Sequence, residues 1–185
     1  MREPPKNYTT YEYRNEVGSF RRTFDIPATW DGKEVYINFD GVDSFFYLWI
    51  NGRYVGFSKN SRNTAQFDIT PYIIKGRNEI ALEVYRSSDG SFLEAQDMFR
   101  LPGIFRSVSV TATSKLRVAD VKAIPTYDGG KGTLSINTTL QNLTAKDAKG
   151  LSMRWSIYKN KLFSDDNVLV ATFDDAKAKT SCSCN

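Results

Sequence analysis

The chain has 185 residues, of which 41% are hydrophobic and 25% charged, with a net charge of +4. This composition indicates a globular protein of one domain or two small ones, and no apolar run reaches the about 18 residues of a membrane helix. The chain contains no His, which excludes Ser-His-Asp and Cys-His catalysis and most zinc chemistry.

The first half of the chain is dominated by alternation of apolar and polar residues, which is typical of strands. Residues 19–26 form a predicted strand that ends at Pro27, and residues 34–39 form a second. Residues 45–50 are apolar throughout, which predicts a strand buried on both faces. Asn51-Gly52 then separates that run from residues 53–57, a strong signal for a hairpin.

Further short strands follow as far as residue 112. Residues 65–70, 78–85 and 104–112 are predicted strands, and Asp68 with Pro71 predicts one helical turn over residues 72–74. Many short strands with turn signals between them indicate a β-sandwich or jelly roll. The predicted fold class is therefore all-β.

The composition changes after Thr113, where aromatic residues become sparse. We place a domain boundary here, which gives domains of residues 1–113 and 114–185. Strands are predicted at 116–125, 132–141, 151–158 and 168–173. The second piece, about 70 residues, is short for an immunoglobulin-like sandwich of about 100. We therefore expect a truncated sandwich, whose unpaired strand edge favours association between copies.

Several features receive structural interpretations. The aromatic run Phe45, Phe46, Tyr47 and Trp49 is a conceivable sugar-stacking platform, but core packing is favoured because the strand is continuously apolar. Trp30 and Trp155 are predicted core or inter-domain residues.

The two cysteines, Cys182 and Cys184, are predicted to be free thiols. Arg21-Arg22 is predicted to be a solvated face, since the basic residues are not clustered. We therefore expect no nucleic-acid partner.

Residues 88–108 contain the best candidate for a functional loop. Glu94, Gln96, Asp97 and Arg100 alternate with large apolar residues between a Ser-Asp-Gly turn and Pro102-Gly103. Such a loop, fixed at several points, is a common place for binding residues. From the residues alone, a structural, ion-paired carboxylate is the simpler interpretation of Asp97. Arg100 is expected to pair with Asp97 or Glu94, and a catalytic pair formed by Glu94 and Asp97 is a further, less favoured alternative.

Three blocks carry a resemblance to a known family. They are FDGVDSFFYLWINGRYVGFSKNSR (39–62), AQFDIT (65–70) and SDGSFLEAQDMFRLPGIFRSVSV (88–110). In order and spacing they resemble the N-terminal sugar-binding domain of glycoside hydrolase family 2, and the third block is specific for its β-galactosidases. The resemblance implies a galactose-binding-domain-like jelly roll, then an immunoglobulin-like domain, then a catalytic barrel that this sequence does not contain.

The resemblance implies a role for Asp97 above all. In β-galactosidases of the family, the Asp of the QDM motif contacts galactose hydroxyls and helps to hold a sodium ion. Both roles suit a carboxylate, which is a hydrogen-bond acceptor and a hard oxygen ligand. Glu94, Gln96 and Arg100 are then expected to support the loop. Phe99 stands where the most similar family members carry Trp.

The expected parent enzyme hydrolyses terminal β-galactosides with retention, through two carboxylates of the barrel. The resemblance implies magnesium and sodium for that enzyme, with no cofactor bound by this chain alone. The expected partners are a galactoside, the barrel of the same chain and further copies in a homo-oligomer, without a membrane. An autonomous carbohydrate-binding module and a purely structural domain are the alternatives, whereas a β-glucuronidase or β-mannosidase relative is disfavoured.

The N-terminus lacks the apolar stretch of a signal peptide. The compartment stays open: the cytoplasm is favoured, and a periplasmic or secreted location remains if a signal peptide has been removed.

Overall fold

A computed structural model describes residues 15–93, 97, 101–160 and 167–178. Over these residues the chain consists of antiparallel β-strands, a 3-10 turn (Ala28–Trp30) and one short helix, α1 (Gly90–Leu93). The chain divides into two compact units between Ser114 and Lys115, one residue from the boundary placed on the sequence. No helix among the described residues is long and apolar enough to cross a membrane.

The first unit is a β-sandwich. Its larger sheet has the order β1-β7-β4-β5, its smaller sheet has the order β6-β2-β9, and β3 pairs separately with β8. The predicted all-β sandwich is confirmed. The strands are β1 (Val17–Ile26), β2 (Glu34–Phe39), β3 (Val42–Asp43), β4 (Phe45–Ile50), β5 (Arg53–Ser58), β6 (Ala65–Asp68), β7 (Gly76–Tyr85), β8 (Gly103–Ile104) and β9 (Val108–Thr113).

The core lies between the two sheets and follows from period-2 alternation. Every second residue of β2 and of β4 is buried, because successive side chains of a strand point to opposite faces. Phe39 of β2 meets Phe46 of β4 across the core, with ring centroids 4.7 Å apart. Phe67 of β6 packs on both rings, at 6.1 and 5.9 Å. Trp30 packs against the same cluster, as predicted.

The outer face of β4 departs from the prediction. Phe46, Leu48 and Ile50 are buried, but Phe45, Tyr47 and Trp49 are only half-buried on the opposite face. They pack in edge-on or tilted contacts against one another and against aromatic residues of β5 and β7, namely Tyr54, Phe57 and Tyr85. The prediction of burial on both faces is therefore wrong, and core packing is confirmed for Phe46 alone of the four aromatic residues.

The hairpin predicted at Asn51-Gly52 is present between β4 and β5. Asn51 and Gly52 have φ values of 51° and 74°, the left-handed conformation that such two-residue turns need. The Asn51 side chain also donates to Tyr72 O (3.0 Å) and to Asn78 Oδ1 (2.8 Å). The turn therefore connects the larger sheet to the segment that precedes β7.

Asn78 is a buried hydrogen-bonding centre of this unit. Its Oδ1 accepts from Asn51 Nδ2 and from Ile74 N–H, and its Nδ2 donates to Ile74 O and Gly76 O, all at 2.8 Å. Both donors and both acceptor positions of the amide are thus occupied. The helical turn predicted over 72–74 lies earlier, since Tyr72 N–H and Ile73 N–H donate to Ile69 O, while Ile74 N–H turns to Asn78.

The strand predicted over 104–112 is interrupted. β8 pairs with β3, through Val42 opposite Ile104, whereas β9 pairs with β2. The change of partner ends one strand and begins the other. The backbone between them is held by hydrogen bonds from Phe105 N to Gly41 O (3.3 Å) and from Asp40 N to Ser107 O (3.0 Å).

The second unit contains two hairpins among the described residues. One pairs β10 (Leu116–Asp128) with β11 (Lys131–Asn142), and the other pairs β12 (Leu151–Asn160) with β13 (Asn167–Ala178). A bulge between Val118 and Asp120 shifts the register, so that Val118 and Val121 lie opposite Leu140 and Thr138 on one face. The immunoglobulin-like identity and the truncation stay predictions, and Cys182 and Cys184 lie outside the described residues.

Trp155 belongs to the packing within this second unit. Its ring stacks on Phe173 with centroids 6.0 Å apart, and its Nε1 donates to Thr138 Oγ1 at 3.3 Å. Because Thr138 lies on β11, this hydrogen bond connects the two hairpins.

We predict that Asn78→Asp destabilises the protein by about 2–3 kcal/mol. The substitution replaces a donor by an oxygen that faces two carbonyl groups in a buried site. Urea unfolding at pH 7 measures the change, with Asn63→Asp, at an exposed position, as the matched control. Equal stability of the two variants would contradict the role of Asn78.

Candidate functional site

The predicted functional loop lies between α1 and β8, at residues 94–102. Asp97 is exposed, and so are Leu93, which directly precedes the loop, at 85%, and Leu101, close to the end of the loop, at 69%. Glu94, Gln96 and Arg100 lie outside the described residues, so their supporting roles and the pairing of Arg100 stay predictions. The loop therefore presents a carboxylate and, at its two ends, apolar side chains at the surface.

The approach to this loop is held by local hydrogen bonds. Ser88 N–H donates to Ser91 Oγ (2.9 Å) and Ser91 N–H donates to Ser88 O (3.0 Å), which closes the turn that begins α1. Ser87 N–H donates to Asn15 Oδ1 at 2.9 Å, and Asn15 Nδ2 donates back to Ser87 O. The side chains of Ser91 and Asn15 therefore satisfy backbone groups where the chain leaves β7.

An ion pair adds to this connection. Lys59, in the segment after β5, donates to Asp89 Oδ2 at 3.0 Å, and Gly90 N–H donates to Asp89 Oδ1 at 2.9 Å. The hydrogen bond from Lys59, then that from Gly90 N–H, lower the pKa of Asp89. Because both side chains are exposed, at 54% and 74%, water and salt screen this pair and its contribution to stability is small.

The end of the loop is held by strand pairing and by an aromatic contact. Gly103 and Ile104 of β8 pair with β3, and the Phe105 ring then lies against Gly41. A Cβ on Gly41 would lie 2.6 Å from that ring, so a side chain does not fit there. Two guanidinium groups lie over the same ring, Arg62 at 5.0 Å and Arg106 at 5.3 Å, within the range of a cation–π contact.

Arg62 also pairs with Asp43 of β3, at 3.5 Å. This pair is less exposed than the Lys59–Asp89 pair, at 38% for Arg62 and 13% for Asp43. Arg106 in turn donates to the backbone oxygens of Arg62 (3.2 Å) and Asp40 (3.4 Å). Since charge pairs strengthen as water is excluded, we expect the contacts of Arg62 to stabilise the structure more than those of Lys59.

Comparison with known proteins identifies the family. Residues 5–114 match the model of the sugar binding domain of glycosyl hydrolases family 2. The chain belongs to glycosyl hydrolase family 2. It is 42% identical over 158 residues to a β-galactosidase of Priestia megaterium, an alignment that covers 84% of this chain and 15% of that protein. It is 48% identical over 109 residues to a β-galactosidase of Yersinia pestis, covering 58% of this chain and 10% of that protein.

The fold is also shared with solved family 2 structures. A β-glucuronidase 2 of Bacteroides uniformis superimposes with a TM-score of 0.76 at 22% identity, over 95% of this chain and 21% of that one. At this identity the likeness concerns the fold alone. The chain thus spans about a tenth to a fifth of the length of these relatives.

The sequence identified the loop but missed the residues that hold it. Lys59, Arg62 and Phe105 lie within the blocks that carry the family resemblance, yet their residue types alone suggested no role. Their partners, Asp89 and Asp43, are 30 and 19 positions away in the chain. The first pair joins the segments that follow β5 and β7, and the second joins β3 to the segment after β5.

Among the described residues there is no group of three or more His, Cys, Asp or Glu side chains that could hold a metal ion. Asp97 is a hard oxygen donor that fits sodium as one ligand among several. Any further ligands would come from residues beyond this set.

We predict that Lys59→Met raises the pKa of Asp89 toward the ordinary value of about 3.9. The substitution removes the hydrogen bond from Lys59, which is the largest cause of the lowered pKa. NMR titration of the side-chain carboxyl carbon measures it. The stabilising contribution of a carboxyl with a lowered pKa is fully present above the unfolded pKa and is lost as the pH falls through the folded pKa. The variant should therefore lose less stability on acidification below about pH 4.

The matched control is Lys75→Met. Lys75 pairs with Asp31 at the same distance, 3.0 Å, and lowers the pKa of that carboxyl instead. It should leave the titration of Asp89 unchanged. An unchanged midpoint for Asp89 in the Lys59 variant would contradict the assignment of the ion pair.

Proposed function

We propose that this chain is the N-terminal part of a family 2 β-galactosidase that releases terminal β-linked galactose. Support comes from relatives named β-galactosidase at 42% and 48% identity. The observation that carries the proposal is the exposed carboxylate of Asp97, on a loop whose two ends are both fixed to the sandwich. Exposed Leu93 and Leu101 supply apolar surface for a further domain to cover.

In this proposal Asp97 contributes binding and orientation, and it takes no part in the proton transfers. An ionised carboxylate accepts hydrogen bonds from two sugar hydroxyls at once, and with sodium it fixes the position of the ring. Hydrolysis with retention needs two carboxyl groups about 5–5.5 Å apart. We assign that pair to a catalytic barrel of the same protein, so the chain alone is inactive and its partners are the barrel and a galactoside.

If sodium binds at this site, Asp97 would be one of its oxygen ligands. The ion would supply a positive charge against which sugar hydroxyls are oriented. We propose that magnesium, which the family resemblance implies for the parent enzyme, binds outside this chain.

We predict that Asp97→Asn in the full-length enzyme lowers kcat/KM for a β-galactoside by about 10–100-fold. Hydrogen bonds to a charged group contribute about 1.5–3 kcal/mol, and each 1.4 kcal/mol is about a factor of ten. The sodium concentration for half-maximal activity should also rise. Steady-state kinetics at several sodium concentrations measures both quantities.

The control is Asp120→Asn, an exposed carboxylate on β10 of the second unit. It should leave both quantities unchanged. Wild-type kinetics in the Asp97 variant would instead favour a purely structural role for this loop.

A second candidate, an autonomous carbohydrate-binding module, is favoured by one observation. The outer face of the larger sheet carries an aromatic cluster in which Tyr54 and Phe57 are 50% and 53% exposed. Aromatic rings present apolar faces on which a sugar ring stacks. This candidate requires the chain to bind sugar without a barrel.

NMR titration of the isolated chain separates the two candidates. For the composite site we expect no chemical-shift change with galactose, because the hydroxyl groups would still compete with water at an exposed carboxylate. Shifts at Tyr54 and Phe57 that disappear in Tyr54→Ala would favour the autonomous module. Shifts at Asp97 that galactose causes and glucose does not would show that the loop recognises sugar by itself.

A further inference from the structure

One short segment contacts both ends of the loop that carries Asp97. Residues 59–62, hereafter the connecting segment, follow β5 directly. Its first residue, Lys59, binds Asp89 just before α1. Its last, Arg62, binds Asp43 of the β3–β8 ladder and lies over Phe105, just after β8. Thus four consecutive residues connect two points that are sixteen positions apart along the chain.

The connecting segment is itself held firmly to the sandwich. Ser61, between the two charged residues, is buried with 1% of its surface exposed. The backbone oxygen of Arg62 accepts a hydrogen bond from Arg106 at 3.2 Å. A segment fixed in this way supplies a rigid base from which its two side chains reach the ends of the loop.

We propose that Lys59 and Arg62 are positioning residues for Asp97, acting together through the two ends of its loop. The inference rests on the proposed function for the role of Asp97, but the contacts themselves do not depend on it. A loop held at both ends explores fewer conformations than one held at a single end, because closing its ends removes chain entropy. The carboxylate of Asp97 is thereby kept near one position before any ligand arrives.

The contacts at the two ends of the loop depend on different properties of Lys59 and Arg62. Lys59 acts as a point charge on Asp89, so any residue of the same charge and reach would serve. Arg62 uses its planar guanidinium twice, as an ion-pair donor and as a cation over the Phe105 ring. An Arg-to-Lys change at a stacked site is not conservative, so Arg62→Lys should impair positioning even though the charge is kept.

Backbone hydrogen exchange of the 185-residue chain tests the contacts directly. We expect Lys59→Met to accelerate amide exchange at residues 88–93, and Arg62→Lys to do so at residues 101–105, each by roughly two- to fivefold, because exchange reports local opening and exposed ion pairs are weak. Exchange in β2, β4 and β7 should not change. The reversed pair, Lys59→Asp with Asp89→Lys, should restore slow exchange.

The sequence offers matched controls for both variants. Lys75→Met removes the Lys75–Asp31 pair, which has the same 3.0 Å separation. Arg53→Lys alters an arginine that lies 4.8 Å over the Tyr72 ring and donates to Pro71 O. Neither control should affect exchange at either end of the loop. Unchanged exchange there in both test variants would overturn the proposal.

Kinetics of the full-length enzyme tests the consequence for Asp97. The Lys59 and Arg62 variants should raise KM and the sodium requirement in the same direction as Asp97→Asn, by a smaller factor, and the controls should not. If Asp97→Asn alters the kinetics but neither test variant does, the positioning role is wrong. If Asp97→Asn leaves the kinetics unchanged, the proposed function fails. Faster exchange in the Lys59 and Arg62 variants would then still support the connecting segment as the element that holds the loop.

Discussion

The contact between Phe39 and Phe46 across the sandwich determines where the rest of the first unit lies. The two rings belong to different sheets, and only six residues separate them in the chain. Those six residues contain β3, which therefore has little freedom once both rings are buried. Because β3 is fixed, its partner β8 is fixed too. The end of the loop that carries Asp97 is thus tied to the best-packed part of the core.

The start of that loop is held by a different kind of force. Its hydrogen bonds and its ion pair involve Asn15, Ser87, Lys59 and Asp89, which are exposed or half-buried. Exposed charge pairs are weak and are screened by salt, whereas strand pairing against a packed core is not. The loop therefore has one strongly held end and one weakly held end. The connecting segment matters because it is the element that touches both.

The strand predictions succeeded where a whole run belongs to one sheet. Residues 34–39, predicted from alternation, match β2, and residues 45–50, predicted from a continuous apolar run, match β4; in both strands every second residue is buried. The run 104–112 has the same pattern but changes partner between β8 and β9, which local periodicity does not encode. Burial of the outer face of β4 was predicted wrongly. A sequence does not distinguish aromatic residues that pack on one another at the surface from aromatic residues in a core. Asp97 was found only through the family motif, and Lys59 and Arg62 were not found at all, because an ion pair between distant residues leaves no local signal.

The exposure of Asp97 affects how such a site binds sugar. An exposed carboxylate exchanges hydrogen bonds to water for hydrogen bonds to a sugar, so the net gain is small. The same carboxylate gains strength when a second surface excludes water, because the local dielectric constant falls. Leu93 and Leu101, exposed at the two ends of the loop, are suited to make that dry contact. Positioning before assembly then limits the entropy lost when the two surfaces meet, and in this sandwich the contacts at both ends of the loop supply that positioning.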